Sequence, residues 1–533
     1  MKTRTVKGAI ALGSLTATVA LLAGLGSAQA QIGSGQPASP PVAPTGPGAG
    51  SFPQSFLIPG TNTSLSLYGK ISMAVWDNIG SQHLNDTSPS GGGATPFQIN
   101  ALALEGPGAA GGTSVTQLDR SIHGGLRNTV KGTNFAIETR TPTDLGEVKT
   151  VMLVDFSLMA SQSNYIGAGT AITSTKPSAG AGNNETPRIQ WAYGTLGPWL
   201  IGQYNSAWSD PLMINPDIGD QSQIGPLQTV NIRRPQIRYT YLAGNGITLS
   251  ASVESMNTGA AYCQNTTSTT CIGNLTLAPA SIATDGSDNL DVGGSSDGGI
   301  VNLPSFNTGI AWDQPWGHVM GRVGVGRSEL RGTNATQLFN NGTSPSNFSN
   351  DVTQWHWAVE GGVMLNTWGQ DQWRGLINYS HGLSTYLSDL GPGGASTDMF
   401  INGQTGQVSS FNELALNTSY IHRFNPNWRT TGEFGIGFQN RPSAASGLGN
   451  CATGSSTTTT AGLVGTCVSG GLTAAQLSNI DKRHIEAAWS VTYSPVPGQV
   501  DIGLELDYYD RQTQASGTGT AAWMQRLGFN FYW

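Results

Sequence analysis

The sequence runs to 533 residues, with 73 glycines and 27 prolines, while only 11% of positions are charged and 38% hydrophobic. That composition holds too little Leu, Ile and Val for a large helical or doubly wound α/β enzyme, and its length requires either several domains or one large barrel. A formal charge of −7 argues against a nucleic-acid partner, which needs a basic face.

Taken in chain order, Lys2, Arg4 and Lys7 precede an apolar stretch over 9–25. Ala28-Gln29-Ala30 then supplies the small-x-small pattern that signal peptidase reads. Residues 1–30 are therefore expected to be a cleaved secretory signal peptide. Removing its three basic residues leaves the mature chain at −10. An uncleaved anchor is the weaker alternative, because the apolar run is short for a span. Residues 31–62 are rich in Pro, Gly, Ala and Ser, which predicts a flexible or polyproline-like periplasmic linker. No later run is long and apolar enough to span as a helix, so an exported chain of this kind is periplasmic, secreted or an outer-membrane barrel.

From residue 63 to the end, segments of about ten residues alternate apolar and polar, the period of a strand with unlike faces. The clearest are 64–76, 188–196, 198–204, 235–243, 246–256, 316–327, 355–365, 427–439, 484–493, 500–509 and 523–533. In 246–256, Ile247, Leu249, Ala251 and Val253 share one face, and Thr248, Ser250, Ser252 and Glu254 share the other. Seven short connections fall at 142–146, 197–198, 244–246, 313–316, 367–372, 425–427 and 495–498. They alternate with eight long ones at 77–132, 159–185, 206–234, 257–304, 328–352, 383–410, 440–481 and 511–522. The fold expected is all-β: a transmembrane antiparallel barrel of about sixteen strands over 63–533, with short periplasmic turns and long extracellular loops. Residues 120–128 are assigned to the first long loop, because a seventeenth strand would break the alternation.

Three features select a membrane barrel over a soluble sandwich. The polar face carries charges that a packed core would not hold: Lys149, Arg188, Arg238, Glu254, Arg322, Glu360, Arg429, Glu433, Asp501, Glu505 and Arg526. A charge facing lipid at the midplane costs about 2–4 kcal/mol, whereas one facing a watery lumen costs little. Aromatics crowd the strand ends, as Trp191, Tyr193, Trp199, Tyr239, Tyr241, Trp355, Trp357, Trp489, Tyr493 and Tyr508, which suits interfacial girdles. Finally, Leu527, Phe529, Phe531 and Trp533 alternate with Arg526, Gly528 and Asn530 to the last residue.

Leu67-Tyr68-Gly69 and the terminal aromatic resemble Gram-negative general porins. The segment from Glu138 to Thr150 resembles a hairpin of DcaP-like porins, as do 188–194, 199–203 and 233–239, so the likeness is densest over 133–245. This resemblance implies a homotrimeric channel in the outer-membrane lipid for small polar or anionic solutes, dicarboxylates among them. It also implies that the loop 206–234 folds into the lumen. That loop carries Asp210, Asp217 and Asp220 and ends at Arg233 and Arg234; Arg188 and Arg238 flank it on the polar face. With Lys149 and Arg429, these are the candidate constriction residues, since guanidiniums opposite carboxylates set a transverse field and arginine binds carboxylates bidentately. The competing reading is that these charges pair with one another and brace the loop.

Cys263 with Cys271, and Cys451 with Cys467, form two local pairs within long loops, and in an exported chain they are expected as disulfides. Enzyme signatures are poor: residues 106–111 fit G-x-G-x-x-G only in a loop, and His484 with Glu486 make two ligands rather than a metal site. The expectation is a non-enzymatic outer-membrane porin for passive diffusion, without cofactor or metal. The rivals are a barrel acting through its extracellular loops as adhesin or enzyme, and a secreted β-rich carbohydrate-active protein.

Overall fold

The computed structural model describes residues 48–79, 127–130, 132–159, 185–213, 233–256, 259–263, 300–330, 352–383, 386, 397–402, 408–440, 443, 481–514 and 519–533. Sixteen of the described strands close one antiparallel ring. In chain order they are β1 (Ser64–Ile79), β2 (Asn134–Thr143), β3 (Gly146–Met159), β4 (Glu185–Leu196), β5 (Trp199–Asn205), β6 (Arg233–Gly244), β7 (Ile247–Glu254) and β8 (Ile300–Gln314). Then follow β9 (Gly317–Leu330), β10 (Val352–Asn366), β11 (Gln372–His381), β12 (Asn412–Asn425), β13 (Trp428–Gln439), β14 (Asp481–Val496), β15 (Val500–Thr513) and β16 (Gly519–Tyr532).

Each strand pairs with its neighbour in sequence, and β16 returns to β1 with Lys70 opposite Tyr532 and Ile79 opposite Trp523. The other side of β1 pairs with β2 from Ser64 opposite Arg140 to Lys70 opposite Asn134, so the sheet keeps no free edge. The last residue completes the closure: Trp533 N–H donates to the Gly69 carbonyl, Gly69 N–H donates back, and the Trp533 ring stacks on Phe135. The seven short connections fall where the alternation placed them.

The two faces separate as the period-two pattern requires. Along β7, Leu249 and Val253 are exposed on the outside, while Ser252 and Glu254 are buried inside. Trp199, Tyr239, Tyr241, Trp355 and Trp489 also point outward. Apolar groups thus cover the outer wall and polar groups the inner one, the inverse of a soluble domain.

Two stretches add local detail. Residues 127–129 form a short strand on β1, with Ala74 opposite Thr129, on the side where β2 pairs lower down. Between them Thr133 N–H donates to the Val130 carbonyl, and the Thr133 hydroxyl takes over the bonds to Ser72 N–H and C=O. The described part of 120–128 is therefore paired rather than loop, yet adds no wall strand; residues 120–126 lie outside the described residues. Residues 48–62, the described end of the Pro/Gly-rich stretch, are folded. Phe56–Leu57 pairs with Ser64 and Leu65, and the buried Phe52 ring lies under the Arg140 guanidinium, 4.3 Å from centroid to Cζ. One aromatic ring on a lumenal cation gives this end a packing partner that its composition did not announce.

Beyond the wall, Gly259–Cys263 runs parallel to Thr397–Asn402, which pairs antiparallel with Val408–Ser410. This small sheet ties the fourth long loop to the sixth.

Candidate functional site

The chain leaving β5 does not continue away from the barrel. Residues 206–213 lie inside it and run along the inner wall of β7 to β12. Glu254, on the inner face of β7, takes the first grip: its carboxylate accepts Ser206 Oγ–H at 2.5 Å and Ala207 N–H at 2.7 Å, and it also holds Ser252 Oγ at 2.7 Å. Trp208, with no exposed surface, stacks on Tyr386 with centroids 4.5 Å apart and planes 11° off parallel. Tyr386 in turn donates to Asn307 Oδ1. Gly324 of β9 makes this stack possible, since a Cβ there would stand 2.6 Å from Asn307 Oδ1 and 3.2–3.3 Å from both rings.

Lower down, Asp210 accepts Arg322 Nη2–H at 2.6 Å and lies 3.1 Å from His318 Nε2, while His318 Nδ1 sits 2.7 Å from Asp313. The short 3-10 turn Pro211–Met213 then seats Met213 among Met320, Met364, Leu376 and Ala415. Gly362 opens that seat, because a Cβ there would press on Met213, Met320 and Leu376. Hydrogen bonds, a stacked ring pair, an ion pair and an apolar socket thus fix the loop against one side of the lumen, leaving the β1–β6 and β13–β16 walls across from it.

The expected residues fall into three groups. Asp210 is buried in the loop–wall contact, where it braces the loop instead of facing an open pore. Asp217 and Asp220 lie outside the described residues. On the opposite wall, Arg188 makes a bidentate pair with Asp155, which Gln190 also joins. Arg238 donates to the Asn205 carbonyl and lies 5.3 Å over the Tyr204 ring. Arg234 stands opposite Tyr204 in register and Arg233 opposite Asn205, with its charge beside Arg188 and Asp155. Arg188 and Arg233 therefore lie near Asp155, and Arg238 near Glu254, with Arg234 next to Arg233 along β6. Lys149 pairs with Glu138 at 3.2 Å, and Arg429 is buried against Asp501 at 3.0 Å. Beyond Arg429, Arg526 sits between Glu505 and Asp507 at 2.9 and 3.1 Å. Cys263 ends its short strand, and Cys271, Cys451 and Cys467 lie outside the described residues. His484 and Glu486 share the inner face, and no group of three or more potential metal ligands occurs among the described residues.

One expectation is corrected. Strict alternation from the inward Arg188 would turn Trp191 and Tyr193 outward, into the girdle. Instead β3 and β4 slip by one residue: Val154 pairs with Ile189, Leu153 with Trp191, and Gln190 has no opposite number. This bulge puts Arg188, Trp191 and Tyr193 all on the lumenal face. There Trp191 and Tyr193 pack against Tyr204, with centroids 5.2 and 4.5 Å away, and Trp191 Nε1–H donates to Asn205. Gly202, at φ +128°, lets β5 press close at this point, where a Cβ would collide with the Ala192 carbonyl and Tyr193. Tyr68 of β1 stands on the same inner face, its hydroxyl 3.4 Å from Glu138.

Alternation puts Glu254 and Arg322 on the inner face but does not say what they hold. For Trp208 and Tyr386 the local signal is slight, a lone Trp in the polar run Ser206-Ala207-Trp208-Ser209-Asp210.

The family described as the porin subfamily matches residues 54–528. Among solved structures, the outer-membrane channel DcaP of Acinetobacter baumannii is similar at 17% identity and a TM-score of 0.56, covering 90% of this chain and 99% of that one. OprB of Pseudomonas putida gives 8% identity and a TM-score of 0.44, over 88% of this chain and 94% of that one. OmpT of Vibrio cholerae, as a loop deletion mutant, gives 7% and 0.44, over 88% and 99%. No curated protein matches the chain by sequence.

Proposed function

Because the chain belongs to the porin subfamily, we propose that its outer-membrane channel passes small hydrophilic solutes by passive diffusion, anions and dicarboxylates preferentially, through a lumen narrowed by residues 206–213. The observation that carries this reading is the in-folded loop, anchored on β7–β12 and faced by the Arg188, Arg233, Arg234 and Arg238 group. A fixed positive potential biases which ions pass even where each guanidinium already has a partner, since the field extends beyond the contact. In this proposal residues 1–30 are removed on export, 31–62 leads to the barrel from the periplasm, and three copies assemble, as the resemblance over 133–245 implies.

The test is the reversal potential in a salt gradient, recorded on the refolded full-length mature protein. Replacing Arg233, Arg234 and Arg238 together by Gln should move selectivity towards cations. An unchanged reversal potential would remove these residues from the selectivity-determining region.

A further inference from the structure

The inner wall of a water-filled barrel is expected to be polar, yet on the side away from the Met213 socket a stretch of this one is apolar. Across β1 to β4, Tyr68, Ala136, Leu153 and Trp191 succeed each other in register on the lumenal face, Tyr193 stands beside them opposite Val151, and Tyr204 of β5 packs against both Trp191 and Tyr193. Ala136 and Leu153 are buried, while Tyr68, Trp191, Tyr193 and Tyr204 each keep part of their surface open. Four partly exposed aromatics on an aqueous wall leave apolar surface wet unless a solute covers it.

From this we propose that the patch is a stacking platform for neutral cyclic polyols, sugar rings above all, that slide past the in-folded loop; it rests on the channel reading. The state of the neighbouring charges selects a neutral solute over an anion. Arg140 is paired with Glu138 at 2.7 Å and covered by Phe52; Lys149 shares the same carboxylate; Arg238 lies on Tyr204; and Arg234 has a partner of its own. The charges of Arg140 and Lys149 are already offset by Glu138, so an anion bound directly at the patch gains little net attraction there. A sugar ring needs none, because its C–H face stacks on an aromatic ring while its hydroxyls meet a rim that mixes donors (the remaining N–H groups of Arg140 and Lys149) with acceptors (Glu138 and the tyrosine oxygens).

The experiment is current blockage in planar bilayers carrying the refolded full-length mature protein. Sucrose and glucose are titrated against the open-chain polyol sorbitol and the dicarboxylate succinate. The cyclic sugars should block saturably, whereas sorbitol should lower the current only in proportion to its effect on bulk conductivity. Replacing both Trp191 and Tyr204 by Leu should weaken sugar binding about tenfold or more. Tyr204→Phe, which keeps the ring, should hold it within about threefold. Heat-modifiable migration on gels confirms that each variant is a folded barrel. Salt conductance without saturable sugar block, equal block by sorbitol, or saturable block by succinate alone would overturn the platform and leave the channel reading standing. A folded, inserted barrel that conducts no salt would overturn both.

Discussion

Trp208→Ala tests the anchoring of the loop most sharply. Trp208 has no exposed surface, stacks on Tyr386 and sits in the space that Gly324 leaves open. A tryptophan of this kind buries about 250 Å², worth on the order of 6 kcal/mol at about 25 cal/mol per Å². Water can refill part of a lumenal site, so the low end of the Trp→Ala range, about 3 kcal/mol, is the loss expected. That raises the population of the undocked loop roughly a hundredfold. Single-channel recordings should then show flicker to a larger open conductance, and the loop of the folded barrel should be cut faster by added protease. Gly324→Ala should act the same way from the wall side, by pressing a methyl against both rings. Conductance histograms and cleavage rates matching wild type would show that the stack does not hold the loop.

Further predictions follow from the two faces and the charge pairs. Ile377→Arg places a charge on the outer wall in mid-strand and should cost about 2–4 kcal/mol of stability in lipid, read as a lowered urea midpoint of the reconstituted barrel; an unchanged midpoint would contradict the outward assignment. Arg526→Met leaves Glu505 and Asp507 together without their shared cation and should cost about 3–5 kcal/mol in the same assay, and tolerance of the change would show that the cation is not needed there. In the 367–371 turn, burial alone would raise the Asp371 pKa. Hydrogen bonds from Arg423 N–H, His422 and Tyr420 outweigh that and hold the carboxyl below the usual carboxylate range. The stability this contributes is present above the unfolded pKa of about 3.9 and is lost as pH falls through the lower folded value. Asp371→Asn should therefore flatten the acid limb of the stability curve, and an acid limb as steep as wild type would contradict the assignment.

The wall was legible because its signals are local: period-two alternation, turn chemistry and the alternation of short and long connections are all carried by neighbouring residues. Inward charges such as Glu254, Arg322 and Arg526 were legible for the same reason, since parity alone assigns their face. Parity failed at Gln190, where a bulge adds one residue and reverses every face that follows, so Trp191 and Tyr193 were assigned to the girdle when they line the lumen. The loop's route was implied only by resemblance. Its anchors join residues far apart in the chain: Asp210 with Arg322, and Trp208 with Tyr386. Nothing in the local pattern of residues 206–213 names those partners. Phe52 was hidden for a similar reason, because a Pro/Gly-rich composition describes the cost of ordering a stretch but not the single contact that offsets it.

Single-channel recording of the refolded mature protein, with insertion verified by heat-modifiable migration, tests the narrowed open channel most directly. Steady, ohmic salt conductance in three equal steps per insertion is expected, with an anion-selective reversal potential. A barrel that folds and inserts yet stays electrically silent would contradict it, and would mean that the loop closes the lumen instead of narrowing it.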